Sequence, residues 1–119
     1  MSDTGVPVTV RQLADALSLT VHCASDEALA RRVTGGYAGD LLSWVMSRAP
    51  SGAVWITIMS NMNVAAVAVM ADLPCVILAE GVAPDGALTG RARKENVALL
   101  GSAMSTYELC LGLHRQLCP

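Results

Sequence analysis

Phenylalanine is absent from this sequence, lysine occurs once, at Lys94, and the aromatic residues are Tyr37, Trp44, Trp55 and Tyr107 alone. Binders of single-stranded nucleic acid need aromatic platforms along a positive groove. Here the eight basic residues are scattered, the net charge is −2, and no basic face emerges, so nucleic acid is not an expected partner. A P-loop kinase needs lysine at the end of G-x-x-x-x-G-K-[ST], where it reaches the transferred phosphates. Lys94 lies instead within Arg91-Ala92-Arg93-Lys94-Glu95, a charged helical stretch with no such loop, and that chemistry is excluded. Uninterrupted apolar runs are missing too. A membrane span takes about 20 of them in a row, whereas the most apolar stretch, residues 53–79, is broken by Ser60, Asn61, Asn63, Asp72 and Pro74. No membrane partner is expected. Met1-Ser2-Asp3-Thr4-Gly5 has neither a basic nor an apolar region of the kind that opens a secretion signal, so a cytoplasmic location is expected.

The four cysteines, Cys23, Cys75, Cys110 and Cys118, form no C-x-x-C pair and have no histidine at finger-like spacing. They read as small buried hydrophobes before they read as metal ligands, and no cofactor is expected. Cys110 and Cys118, near the C-terminus, are the two open to a redox or cross-linking role.

What the chain does have is apolar surface. Hydrophobic residues make up 53% and charged residues 15%, against about a quarter for ordinary soluble domains. That surplus fits a sheet covered on both faces, a second subunit, or both. A length of 119 residues fits one self-sufficient domain, bounded here at residues 8–117 with residues 1–7 as a flexible lead.

Thr9-Val10-Arg11-Gln12 has the form of a capping box and opens a helix to about Ser18; Leu19 to Ala24 alternates like a strand, and Asp26-Glu27 reads as a turn. The segment from Ala30 to Tyr37 reads as a short strand running into a glycine pair, with Asp40 as the N-cap of a helix carrying Leu41, Leu42, Val45, Met46 and Ala49. The uncharged runs from Ala53 to Met59 and from Cys75 to Leu78 are expected as central strands, with a helix from Val64 to Ala71 between them, capped by Asn63. A polar helix follows Pro84-Asp85, a last strand covers Val97 to Gly101, and the capping box Ser105-Thr106-Tyr107-Glu108 launches a helix to Leu117. Strands and helices alternating at this spacing predict a three-layer α/β/α sandwich with a mainly parallel sheet.

In such sheets ligands sit beyond the C-terminal ends of the strands. Three loops draw attention: Thr34-Gly35-Gly36 through Asp40, Thr57 through Asn63, and Gly101 through Ser105. They nominate Thr34, Gly35, Gly36, Asp40, Thr57, Asn61 and Ser102 as ligand-binding residues, with small hydroxyl and amide groups suited to an anionic or polar ligand. Each has a plainer reading. The glycine pair is a turn before it is a phosphate cradle, Asp40 an N-cap before a general base, and Asn61 and Asn63 loop-closing groups before base or sugar contacts. His22 and His114 read as structural. No catalytic residue is expected, since neither Asp40 nor Cys110 shows a partner group. The face formed by Leu109, Leu113 and Leu117 is either core or dimer seam.

The run Arg31-Arg32-Val33-Thr34-Gly35-Gly36-Tyr37, followed by Asp40-Leu41-Leu42-Ser43, resembles the signature of the DRTGG domain. Ala30 or Arg31 stands where the family has its leading aspartate. Trp55-Ile56-Thr57, Asn63-Val64-Ala65 and the segment from Ser102 to Leu109 are similar to the family as well, and the resemblance covers about residues 8–117. It implies a fold like the N-terminal domain of HPr kinase/phosphorylase, a non-catalytic regulatory or ligand-sensing role, a homodimer, and, through the family's association with CBS modules, an adenine nucleotide or other phosphorylated ligand. Stand-alone members occur in anaerobic bacteria beside iron hydrogenase and redox-complex genes, which implies as the alternative a scaffold that docks on a redox enzyme.

Overall fold

The computed structural model describes residues 8–118; the expectation for residues 1–7 lies outside the described residues. The elements run β1 Val8–Thr9, α1 Val10–Ala16, β2 Thr20–Cys23, α2 Asp26–Leu29, β3 Arg32–Val33, β4 Gly35–Ala38, α3 Leu42–Arg48, β5 Ala53–Thr57, α4 Asn63–Met70, β6 Cys75–Leu78, α5 Gly86–Glu95, β7 Ala98–Gly101 and α6 Thr106–Leu117. Five strands form one sheet in the order β2-β7-β6-β5-β4, in which β4 through β7 are parallel and only β2, at one edge, is antiparallel.

The pleat sorts side chains between two cores. Val54, Ile56, Cys75, Ile77, Ala98 and Leu100 point to the face covered by α1, α2 and α6, where they meet Val10, Leu13, Ala28, Leu109 and Leu113. Their neighbours Ala53, Trp55, Val76, Leu78 and Leu99 point to the face covered by α3, α4 and α5, where they meet Val45, Val64, Ala68, Leu88 and Ala92. Strands buried on both faces need no polar alternation, which is why β5, β6 and β7 read as uncharged runs. The three-layer α/β/α architecture with a mainly parallel sheet is therefore present as expected. Leu109 and Leu113 are buried within the single chain, which answers for them the choice between core and seam.

Both capping boxes form. Thr9 Oγ1 accepts from Gln12 N while Gln12 Oε1 accepts from Thr9 N, and Ser105 and Glu108 make the same reciprocal pair at α6. Asp85 caps α5 through Leu88 N at 2.7 Å.

Three local expectations are corrected, and one pairing goes unread in the sequence. Asp26-Glu27 is not a turn but the start of α2, capped by Ser25, whose hydroxyl oxygen accepts from Ala28 N. A two-stranded antiparallel ladder, β1 with β3, joins Val8 to Val33 and Thr9 to Arg32, and pairing of such short strands leaves no periodic signal. Asn63 is the first residue of α4, and its own N–H donates to Asn61 Oδ1. Gly35 and Gly36 are no turn either: they lie in β4, paired with Ala53 and Val54 of β5, and neither has a positive φ. Glycines that do turn the chain are Gly52 (φ 86°), between α3 and β5, and Gly81 (φ 73°), after β6, both in the left-handed region that a side chain resists.

At the N-terminal ends of the parallel strands a polar clamp ties three connections together. The Ser51 hydroxyl donates to one oxygen of Asp72 and Arg31 donates to the other at 2.9 Å. These bonds hold the Asp72 carboxyl below its ordinary pKa, the Ser51 hydrogen bond being the largest cause and Arg31 the second favourable one.

Candidate functional site

The seven residues nominated from sequence separate into two groups, Thr34, Gly35 and Gly36 toward the N-terminal end of β4 and the other four toward the opposite edge of the sheet. Thr34 and Gly35 stand at the start of β4, where Thr34 N donates to Gly52 O. Thr57 closes β5, and Asp40, Asn61 and Ser102 stand beyond the C-terminal ends of the strands.

The C-terminal group is largely occupied with itself. Asp40 Oδ1 accepts from Thr57 Oγ1 at 2.8 Å and from Ile58 N at 3.0 Å, so its carboxylate ties the β4–α3 connection to the end of β5. This corrects its reading as an N-cap, because Leu41 occupies that position with no side-chain cap. Thr57, buried, accepts in turn from Met59 N at 3.1 Å. Ser102 Oγ accepts from Met104 N, and Asn61 Oδ1 from Asn63 N. The loops at this edge, residues 39–41, 58–62, 79–85 and 102–105, contain Asp40, Glu80 and Asp85 and no lysine or arginine.

The N-terminal group opens on a cleft. Between β4 and α6 lies a cavity of about 370 Å³, lined on the strand side by Thr34 through Ala38 with Ile56, and on the helix side by Cys110, Leu113, His114, Leu117 and Cys118. The two elements run in opposite directions, so Ala38 lies toward the Cys110 end and Thr34 toward the Cys118 end. Gly36 explains how close they come: a Cβ there would meet Leu113 Cδ2 at 2.5 Å. The glycine pair therefore serves helix–strand approach and does not turn the chain. Cys110 and His114 share one side of α6, and Cys118, the residue that caps its C-terminus, continues their four-residue spacing. The sequence reading pairs Cys110 with Cys118 and leaves His114 apart; the four-residue spacing is the signal that joins the three.

The walls are apolar, and the lining residues with polar side chains are Thr34, Tyr37, His114 and the two cysteines; the Thr34 hydroxyl donates to Ser51 O at 3.4 Å, and the Tyr37 ring packs on the opposite face of the sheet. Burial raises the Cys110 thiol above its ordinary pKa, which keeps it protonated and poorly nucleophilic, and Cys75, in the core, is pushed up to about 12 by the same cause. Among the described residues no group of three or more His, Cys, Asp or Glu side chains is placed to hold a metal ion, and no helix is long and apolar enough to cross a membrane.

Neither a protein-family model nor a curated protein matches the sequence. Among solved structures, the CBS and DRTGG domains of the regulatory region of Clostridium perfringens pyrophosphatase, in complex with its activator diadenosine tetraphosphate, match this chain. The shared property is the fold. The TM-score is 0.69 over 85% of this chain at 13% identity. The chain spans less than half of that structure, the match covering 44% of its length.

Proposed function

We propose that this chain is a DRTGG-like regulatory module, non-catalytic, that senses an adenine nucleotide or another phosphorylated ligand in the cleft between β4 and α6, and that it works as a homodimer. The observation that carries the reading is the cleft itself. Its volume, about 370 Å³, falls within the range of small-molecule sites, and it combines apolar walls with a few convergent polar groups, as such sites do. Ile56, Leu113 and Leu117 suit the faces of a planar ring, while Thr34 and His114 suit its polar substituents. The likeness to a regulatory region solved with an adenine dinucleotide supports the ligand class. Thr34, Gly35 and Gly36 line the proposed site; Asp40, Thr57, Asn61 and Ser102 shape the opposite edge.

A thermal-shift panel of AMP, ADP, ATP and diadenosine tetraphosphate tests the reading, because a ligand that binds only the folded state raises Tm with concentration, by about 1.4 kcal/mol of stability at ten times Kd. The expected result is a concentration-dependent rise with at least one of them, abolished in Ala38→Trp, where a large side chain fills the cleft. No rise at millimolar ligand contradicts the reading.

A further inference from the structure

The sheet has two edges, and they are treated differently. At β2 the pairing with β7 is irregular between Val21 and Cys23, a break that blunts an edge against further strand addition. At β4 there is no such device. Gly35-Gly36-Tyr37-Ala38 carries no charge, no proline and no bulge, pairs in regular register with β5, and has no strand on its outer side among the described residues. Unpaired backbone donors and acceptors on a regular, uncharged strand form a template for another strand.

We infer that β4 is the homodimer interface, pairing antiparallel with β4 of a second copy across a two-fold axis at Gly36, so that the five-stranded sheets join into one. This rests on the dimeric reading above and adds its geometry. A two-fold axis normal to the sheet keeps like faces together, so a residue can face only one of its own pleat parity. With Gly36 opposite Gly36 of the second copy, Tyr37 faces Gly35 of that copy, and Ala38 faces Thr34. The fit at Tyr37 is specific: a side chain at Gly35 would meet no atom within 4 Å, which leaves open room for the ring of the second copy's Tyr37. An aromatic ring laid across a glycine is a favourable cross-strand arrangement.

Helix α6 fits the same symmetry. It packs chiefly over β4 and next over β5, so strands about 4.8 Å apart place the two α6 helices roughly 10 Å apart, the distance at which helices pack. The side of α6 bearing Cys110 and His114, which borders the cleft, then faces the second copy, and the cleft mouth is shared between subunits. Because the other edge is blunted, this pairing closes as a dimer and does not propagate.

Sedimentation equilibrium on the full chain at tens of micromolar tests the dimer, and two variants test the interface. The wild type is expected at about twice its 12.4 kDa chain mass. Gly35→Lys, which puts a charge where the ring must sit, is expected to be monomeric with its circular dichroism unchanged. Thr34→Cys/Ala38→Cys in a Cys118→Ser background is expected to form an intermolecular disulfide on mild oxidation that Cys118→Ser alone does not form; this readout decides the matter if Gly35→Lys fails to fold. A monomeric wild type overturns both the dimer and its interface. A dimer that persists in Gly35→Lys and forms no disulfide in the paired-cysteine variant overturns the interface alone.

Discussion

Asp40 is the residue whose structural role departs furthest from its sequence reading, and replacing it by alanine separates the two. As an N-cap its loss would cost about 1 kcal/mol, independently of Thr57. In the structure Asp40 Oδ1 receives two hydrogen bonds, from Thr57 Oγ1 and from Ile58 N. Thr57 is 1% exposed, so its hydroxyl has no ready access to water once the carboxylate is gone. Losing a charged acceptor costs roughly 1.5–3 kcal/mol, mostly by stranding the buried donor. Asp40→Ala is therefore expected to lose about 2–3 kcal/mol, or roughly 10 °C in Tm for a domain of this size. In a Thr57→Val background the stranded hydroxyl is absent, and the cost of Asp40→Ala should fall by about 1–2 kcal/mol, the coupling expected of residues in contact. Urea denaturation of the four members of the cycle gives the answer. Additivity within 0.5 kcal/mol, roughly the error of such cycles, would refute the account of this loop.

Gly36→Ala is expected to cost about 1–3 kcal/mol by crowding Leu113. Gly35→Ala meets no atom within 4 Å in its own chain and has no positive φ, so at concentrations where the protein is monomeric it should be neutral to stabilising by up to about 1 kcal/mol, and the two urea midpoints should lie far apart. A thiol reagent at pH 8 should modify exposed Cys118 first and Cys110 slowly, and should reach Cys23 and Cys75 only after denaturation; rapid native reaction at Cys75 would contradict its burial. Asp72 has a depressed folded pKa, so its contribution to stability is present above the ordinary carboxyl pKa and is lost as pH falls through the folded value. Ser51→Ala removes the largest cause, and the Asp72 titration followed by NMR should move up toward the ordinary range.

The layer architecture was legible because β5, β6 and β7 are each too apolar to have a solvent face, and because Thr9-Gln12 and Ser105-Glu108 are local signals that depend only on residues three apart. The glycine pair misled for the opposite reason. Gly35 and Gly36 become a strand by pairing with Ala53 and Val54, each eighteen positions away in sequence, and no local propensity announces that. Asp40 carried an N-cap signal that lost to a buried hydroxyl on another strand. At the candidate site Thr34, Gly35 and Gly36 of the strand wall were named from sequence, while Tyr37, Ala38, Ile56 and the helix wall were not. Cys110 and His114 lie beside the buried face of α6, and only the position of β4 shows that this flank borders a cleft.

The most direct test of the account is a nitrogen-15 NMR titration of the full chain with AMP, ATP and diadenosine tetraphosphate, following backbone amides at both ends of β4. Saturable shifts centred on Gly35, Gly36, Tyr37, Ala38, Cys110 and His114 are the predicted result. Shifts confined to Asp40, Asn61 and Ser102, or none at millimolar ligand, would contradict it.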